Sequence, residues 1–212
     1  MFEIDLANDG ISGPFFQWSA NGTKDRIISP ATFYVRDGGD KTPIDADKGL
    51  VLDLATLKTG WCRSDGVAGV APEWKWNPSP SQMMPSPGEG WKKGISIRVA
   101  YGQGKAATWE QSGAAVWDAL VHLVPQIQEQ RGPNEVPHVK LTSVLDKVYA
   151  KGGTAVPILD VAKWIDRPAC LKDGASIAIA PAAAPTPPPI APIAVVAAAP
   201  AAVPPPEGDD LF

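Results

Sequence analysis

The sequence predicts a mainly β protein with one helix and a disordered C-terminal tail, and three observations carry that expectation. Segments rich in β-branched and aromatic residues recur between Gly, Asp and Pro turn signals. Only one stretch repeats apolar residues at three- and four-residue spacings. The last fifth, Gly174 to Phe212, holds ten prolines and thirteen alanines with no lysine or arginine, a composition that cannot build a packed core. The chain therefore reads as a body over residues 1–173, an Ala/Pro-rich linker over 174–206 and an acidic tip over 207–212.

The elements follow in order. "RIISPATFYVR" (Arg26 to Arg36) and "GLVLDLATLKTGWCRS" (Gly49 to Ser64) have strand composition and turn residues at their ends. From about Asp65 to Gly90 the Pro- and Gly-rich "DGVAGVAPEWKWNPSPSQMMPSPGEG" predicts a long loop, irregular through most of its length. In "WKKGISIRVAY", Ile95, Ile97, Val99 and Tyr101 share one face and Ser96, Arg98 and Ala100 the other, the period of a half-buried strand. "TWEQSGAAVWDALVHLVPQIQEQRG" predicts the helix, through Val116, Trp117, Leu120, Val121 and Val124, with Thr108 and Gln111 as a capping box. Pro125 should kink or break it, and Gly132-Pro133 should end it. "HVKLTSVLDKVYA" and "TAVPILDVAKWI" then read as a hairpin around Lys151-Gly152-Gly153.

Several strands, a helix and two further strands fit a small closed barrel, and the five-stranded oligonucleotide-binding (OB) barrel is the version with a helix in that interval. A β-sandwich with one covering helix satisfies the same pattern, and periodicity does not choose between them.

Composition narrows the function. All nineteen basic residues lie in the body with twenty of the acidic ones, so the body is almost neutral and the tail carries three uncompensated carboxylates. Nucleic-acid binding must then rest on local charge distribution. Two cysteines, Cys62 and Cys170, are too few for a disulfide framework or a zinc site; they read as reduced, packed thiols. "MFEIDLANDG" lacks the basic and apolar regions of a secretory signal, and Ile190 to Val203 is too short and Pro-broken to span a bilayer. A cytoplasmic protein without membrane partners is expected. His122 and His138 are isolated in sequence, no phosphate loop follows a strand, and no metal-ligand spacing is present. Neither a cofactor nor a metal is expected, nor an enzymatic activity.

Eight tryptophans are the unusual feature. "GWCRS" sets Trp61 and Arg63 two apart, "EWKWN" sets Lys75 between Trp74 and Trp76, and "GWKKG" sets Trp91 before Lys92 and Lys93. From Gly90 to Trp109 there are four basic residues and no acid. Cations interleaved with flat apolar rings suit a single-stranded nucleic acid, whose phosphates need charge and whose unstacked bases need ring faces. The expected interface is Trp61, Trp74, Trp76, Trp91 and Tyr101 for stacking, with Arg63, Lys75, Lys92, Lys93 and Arg98 for phosphates. Trp117 and Trp164 are expected in the core.

The tail ends "EGDDLF" after a Pro-rich tether. That arrangement of folded body, low-complexity linker and acidic tip closing on phenylalanine resembles the single-stranded DNA-binding proteins of bacteria and their phages. The resemblance implies an OB-type body that coats single-stranded DNA with little sequence preference during replication, repair or recombination. It also implies a tip, here Asp209, Asp210, Leu211 and Phe212, that recruits replication and recombination proteins. The Leu211-Phe212 ending differs from the Ile-Pro-Phe common in the bacterial proteins, and the longer body is more like a phage version, for which a monomer or a homodimer is admitted. A different class of function, a virion or assembly protein using the tail as a tether, predicts no oligonucleotide binding; an enzyme predicts a deep pocket of convergent polar groups.

Overall fold

The computed structural model describes residues 13–65, 70–128, 132, 134–150 and 152–172. These belong to one compact unit that ends at Ala175. The linker 174–206 and the tip with Asp209, Asp210, Leu211 and Phe212 lie outside the described residues.

The fold is mainly β. The strands are β1 (Phe15–Asn21), β2 (Pro30–Asp37), β3 (Asp40–Ile44), β4 (Leu50–Arg63), β5 (Glu73–Trp76), β6 (Lys92–Tyr101), β7 (Lys105–Ser112), β8 (Glu135–Tyr149) and β9 (Gly152–Asp166). Helix α1 (Ala114–Ile127) separates β7 from β8, and a single turn, α2 (Ala169–Lys172), follows β9. The strands pair in the order β3-β2-β1-β7-β6-β4-β8-β9, with β5 added to the outer half of β4. Within this path β4, β6 and β7 form a meander, α1 follows, and β8 returns beside β4 at Leu50 and Val51, a Greek-key connection.

The ladder does not close into a barrel, because the path ends at β3 and β9 without a bond between them. β1 occupies the outer edge of β7, through a short parallel pairing of Phe15 and Phe16 with Thr108 and Trp109. The sheet nevertheless rolls, and β9 packs against β1 and β2. Two backbone groups of β9 are taken by side chains: the Trp18 indole donates to the Ala155 carbonyl at 2.9 Å, and the Val161 N–H donates to Gln126 Oε1 on α1 at 2.8 Å. A strand edge that would otherwise remain open is thereby covered.

The interior is aromatic where β1, β2 and β7 meet. Phe33 lies 5.1 Å from Phe16, 4.7 Å from Trp18 and 5.4 Å from Trp109, edge-on to the last. Such pairs contribute ~0.5–1.5 kcal/mol each beyond their burial. Val116, Ala119 and Leu123 form the buried stripe of α1. Beneath it Leu52, Ile95, Ile97 and Leu159 leave only about 10 Å³ of free space, too little for more than one water.

Three expectations are corrected. Helix α1 begins at Ala114 rather than near Thr108, because Thr108 to Ser112 pair with β6 and Gly113, at φ +130°, turns the chain. Gln111 is therefore no capping residue. Its amide bonds both the N–H and the C=O of Trp18 at 2.8 Å, standing in for a peptide where the β1–β7 ladder has ended. Pro125 sits in the last turn and the helix continues to Ile127; the proline removes one late hydrogen bond without ending the element. The long loop contains one short strand, β5, and is otherwise irregular among its described residues, as expected; the strands β1, β3 and β7 join those read from the sequence.

Both cysteines are free, Cys62 buried and Cys170 half-buried. Among the described residues no helix is long and apolar enough to cross a membrane.

Candidate nucleic-acid interface

The register of three neighbouring strands decides which aromatics and cations meet. Trp61 on β4 lies opposite Lys75 of β5 on one side and Lys93 of β6 on the other, while Cys62 lies opposite Trp74 and Lys92. Because directly opposed residues share a face, Lys75, Trp61 and Lys93 form one row across the sheet. Trp74, Cys62 and Lys92 form the next row on the reverse face.

The first face is where rings and cations interleave. Lys75 Nζ lies 4.7 Å from the Trp91 ring centre and the Arg63 guanidinium carbon 5.2 Å from the same ring. Lys93 Nζ lies 6.0 Å from the Trp61 ring and 5.0 Å from that of Trp117. Arg63 is also bridged to Glu73, its cross-strand neighbour, at 2.8 Å. Among the described residues neither Lys75 nor Lys93 is within salt-bridge distance of a carboxylate; ring faces hold both ammonium groups, and the Asp118 carboxylate adds a longer-range attraction on Lys93. At the helix end of the row, Lys92, Lys93, Gly113, Ala114, Trp117 and Asp118 line a cleft of about 280 Å³.

This face continues the core-facing side of β6. Ile95, Ile97 and Val99 are buried, and two and four residues earlier the same side carries Lys93 and Trp91, just past the start of α1. A strand that changes from apolar to basic-aromatic along one face marks where the core ends and a surface begins. The loop after β5 holds this margin in place. Asn77 donates to Thr59 Oγ1 at 2.8 Å and accepts from the Met84 N–H at 3.1 Å, and the Trp61 indole donates to the Met84 carbonyl at 2.9 Å. The loop is thus clasped by one asparagine, and Trp61 is oriented rather than free to rotate.

On the reverse face Trp74 and Trp76 stack at 4.4 Å with only 8° between their planes. Two glycines make room for them. A Cβ on Gly94 would come within 2.7 Å of the Trp74 ring, and one on Gly60 within 2.4 Å of the Lys75 carbonyl oxygen. The Trp74 indole N–H is buried and approaches the Glu110 carboxylate without reaching hydrogen-bond geometry. Burial pushes the Glu110 carboxyl above the usual carboxylate range, opposed by Ser96 and Lys58. Cys62 lies on the same side, its thiol also pushed up by burial. This side is packing: the rings cover the back of β6.

The residues expected to bind therefore divide. Trp61, Arg63, Lys75, Trp91 and Lys93 come together on one surface. Trp74 and Trp76 share the three-strand corner but occupy its other face; Lys92 is in register with them, yet also lines the cleft beside Lys93 and Trp117. Arg98 lies elsewhere: its guanidinium donates to the Cys170 carbonyl at 3.2 Å, and its buried Nε has no partner among the described residues, so it fastens α2 to β6. Tyr101 is at the far end of β6, eight residues from Lys93 or about 26 Å along an extended strand, and its ring lies 6.1 Å from Phe16 at the core. Trp117, expected in the core, is half-buried and belongs to the interface through Lys93. Its signal in the sequence was the same apolar helical spacing as its neighbours, so periodicity could not separate it from them.

His122 pairs with Asp160 at 3.0 Å, alongside Gln126 at 2.9 Å and Thr142 at 2.5 Å, a clasp between α1 and the β8–β9 hairpin. Among the described residues no group of three or more His, Cys, Asp or Glu could hold a metal. No family model matches the chain, and neither a curated protein nor a solved structure matches it.

Proposed function

We propose that this protein binds single-stranded DNA with little sequence preference, in replication or recombination, and recruits partner proteins through Asp209, Asp210, Leu211 and Phe212. The observation that carries the reading is the continuous row of Trp91, Trp61 and Trp117 interleaved with Arg63, Lys75 and Lys93. Ring faces that already hold cations are suited to exchange. A phosphate draws the ammonium away with a stronger charge–charge attraction, and the vacated ring face takes the adjoining base. Phosphate and base binding are then coupled at each tryptophan.

The topology supports the same reading. β4, β6 and β7, then α1, then β8 and β9 are five strands in Greek-key order with the helix after the third, which is how an OB barrel is built. We read β1–β3 as an addition that takes the position where such a barrel would close. In OB domains the connection between the first two strands contributes to oligonucleotide binding. Here that connection carries β5 and Lys75.

The test is competition at low salt between a labelled oligo-dT and a duplex of equal length, read by fluorescence anisotropy. The single strand is expected to bind more tightly, because stacking requires exposed base faces. Equal affinity, or no binding to either, would contradict the proposal; the second outcome is what an assembly protein tethered by its tail would give.

A further inference from the structure

We infer that two copies of this chain associate through the outer half of β8, pairing antiparallel about a two-fold axis at Leu145. β4 reaches β8 only at Val139 and His138, so from Lys140 onward β8 is bonded on one side alone, to β9. Among the described residues nothing covers the other edge from Ser143 to Tyr149. An uncovered strand presents a row of backbone donors and acceptors, and proteins usually blunt such edges with proline, a bulge or outward charge. Here the irregularity comes at Thr142, before this stretch, and no proline lies within it. Lys147 is already engaged by Asp118 of α1. Asp146 leaves an outward charge within the stretch, but the edge also exposes Val144 by 40%, Leu145 by 53% and Val148 by 85%, which puts apolar side chains on both faces of the hairpin.

The sequence of the edge selects a second copy and its register. A two-fold axis normal to a sheet pairs each strand with itself reversed, so any strand's donors and acceptors match their own image. Centring the axis on Asp146 or Lys147 would set like charges face to face. Centring it on Ser143 would carry the partner strand onto the ground held by β4 and the Ala46–Lys48 turn, which packs on β8. Centring on Val144 would oppose Leu145 to Ser143. At Leu145 the two leucines meet each other, Lys147 faces Ser143, Asp146 faces Val144, and no like charges are opposed. The product is a continuous four-stranded sheet formed by two hairpins.

Cross-linking of the full-length chain tests this. Residues directly opposed across an antiparallel pair have Cα atoms about 4.5–5.5 Å apart, within disulfide reach. In a Cys170→Ser background, Leu145→Cys is expected to give a covalent dimer under mild oxidation far faster than Ile27→Cys, a control at an exposed apolar residue on another loop. Sedimentation of the unmodified chain is expected to show a dimer that grows from low to high micromolar concentration, and Leu145→Lys is expected to abolish it. Cross-linking of Leu145→Cys no faster than of the control, or a chain that stays monomeric at high concentration, would overturn the inference. Should Leu145→Lys fail to fold, the cross-linking comparison still decides.

Discussion

In the proposed interface single residues divide between cations for phosphates and rings for bases, and the two roles are separable by measurement. Replacing Lys75 by alanine is expected to flatten the dependence of log affinity on log salt by about 0.7, one cation's share for a single strand. Replacing Trp91 by alanine is expected to leave that slope intact and weaken binding by ~5- to 150-fold, equivalent to the loss of one stack worth about 1–3 kcal/mol. If both variants changed the slope alike, the division between ring and cation would be wrong. A second residue-scale consequence concerns pH. The His138 ring lies where a Cβ on Gly49 would stand, 2.2 Å away, and its Nδ1 is buried without a hydrogen-bond partner among the described residues. Burial, then Lys163 and Lys140, hold its pKa below the ordinary 6.5. A histidine whose folded pKa is depressed binds protons more readily when unfolded, so its contribution to stability is complete above 6.5 and is lost as pH falls below it, toward the folded pKa. Unfolding titrations of the wild type and His138→Gln between neutral pH and 5 are expected to show a steeper decline in the wild type; parallel curves would contradict this.

At the scale of elements, β5 is the part on which the interface depends and the part the sequence hid. "EWKW" has the tryptophans and the alternation of a strand but runs for only four residues in a stretch dense with Pro and Gly; it is ordered by pairing with β4, which the local sequence does not reveal. Gly60 permits that pairing. Gly60→Ala would press a methyl against the Lys75 carbonyl and the Trp76 Cα, and overpacking of this kind costs about 1–3 kcal/mol. The variant is expected to lose the exciton couplet of the stacked Trp74 and Trp76 indoles in far-UV circular dichroism. It is also expected to bind oligo-dT with the weakness of Lys75→Ala, while its core still unfolds cooperatively. A preserved couplet would mean that β5 does not need the glycine. By contrast β6 was legible as a strand, because Ile95, Ile97 and Val99 alternate toward the core, but Ser96 and Ala100 on its other face are buried as well, so it is not the half-buried strand that its period suggested. The β7 segment was misread as helix because Thr108 and Gln111 have capping-box spacing. The competing signal was Ala107 and Trp109 alternating after the Gly102-Gln103-Gly104 turn, and tertiary pairing with β6 settled it.

At the scale of the whole molecule, near-neutral charge and a local basic stripe are reconciled by folding. Arg63, Lys75 and Lys93 come from three successive strands, and the sheet places them together on one face without raising the body's net charge. That grouping was half legible. The "GWCRS", "EWKWN" and "GWKKG" stretches named the residues, but only the register shows that Trp61 and Trp91 face away from Trp74 and Trp76, and that Trp117 joins them from the helix. The central claim is that this row binds single-stranded DNA, and the most direct measurement is titration of the full chain with oligo-dT at low and moderate salt, following tryptophan fluorescence. Quenching is expected at low salt, with affinity falling as salt rises at a log–log slope of about −2, three cations at roughly −0.7 each. No quenching at low salt, or an affinity indifferent to salt, would contradict the account.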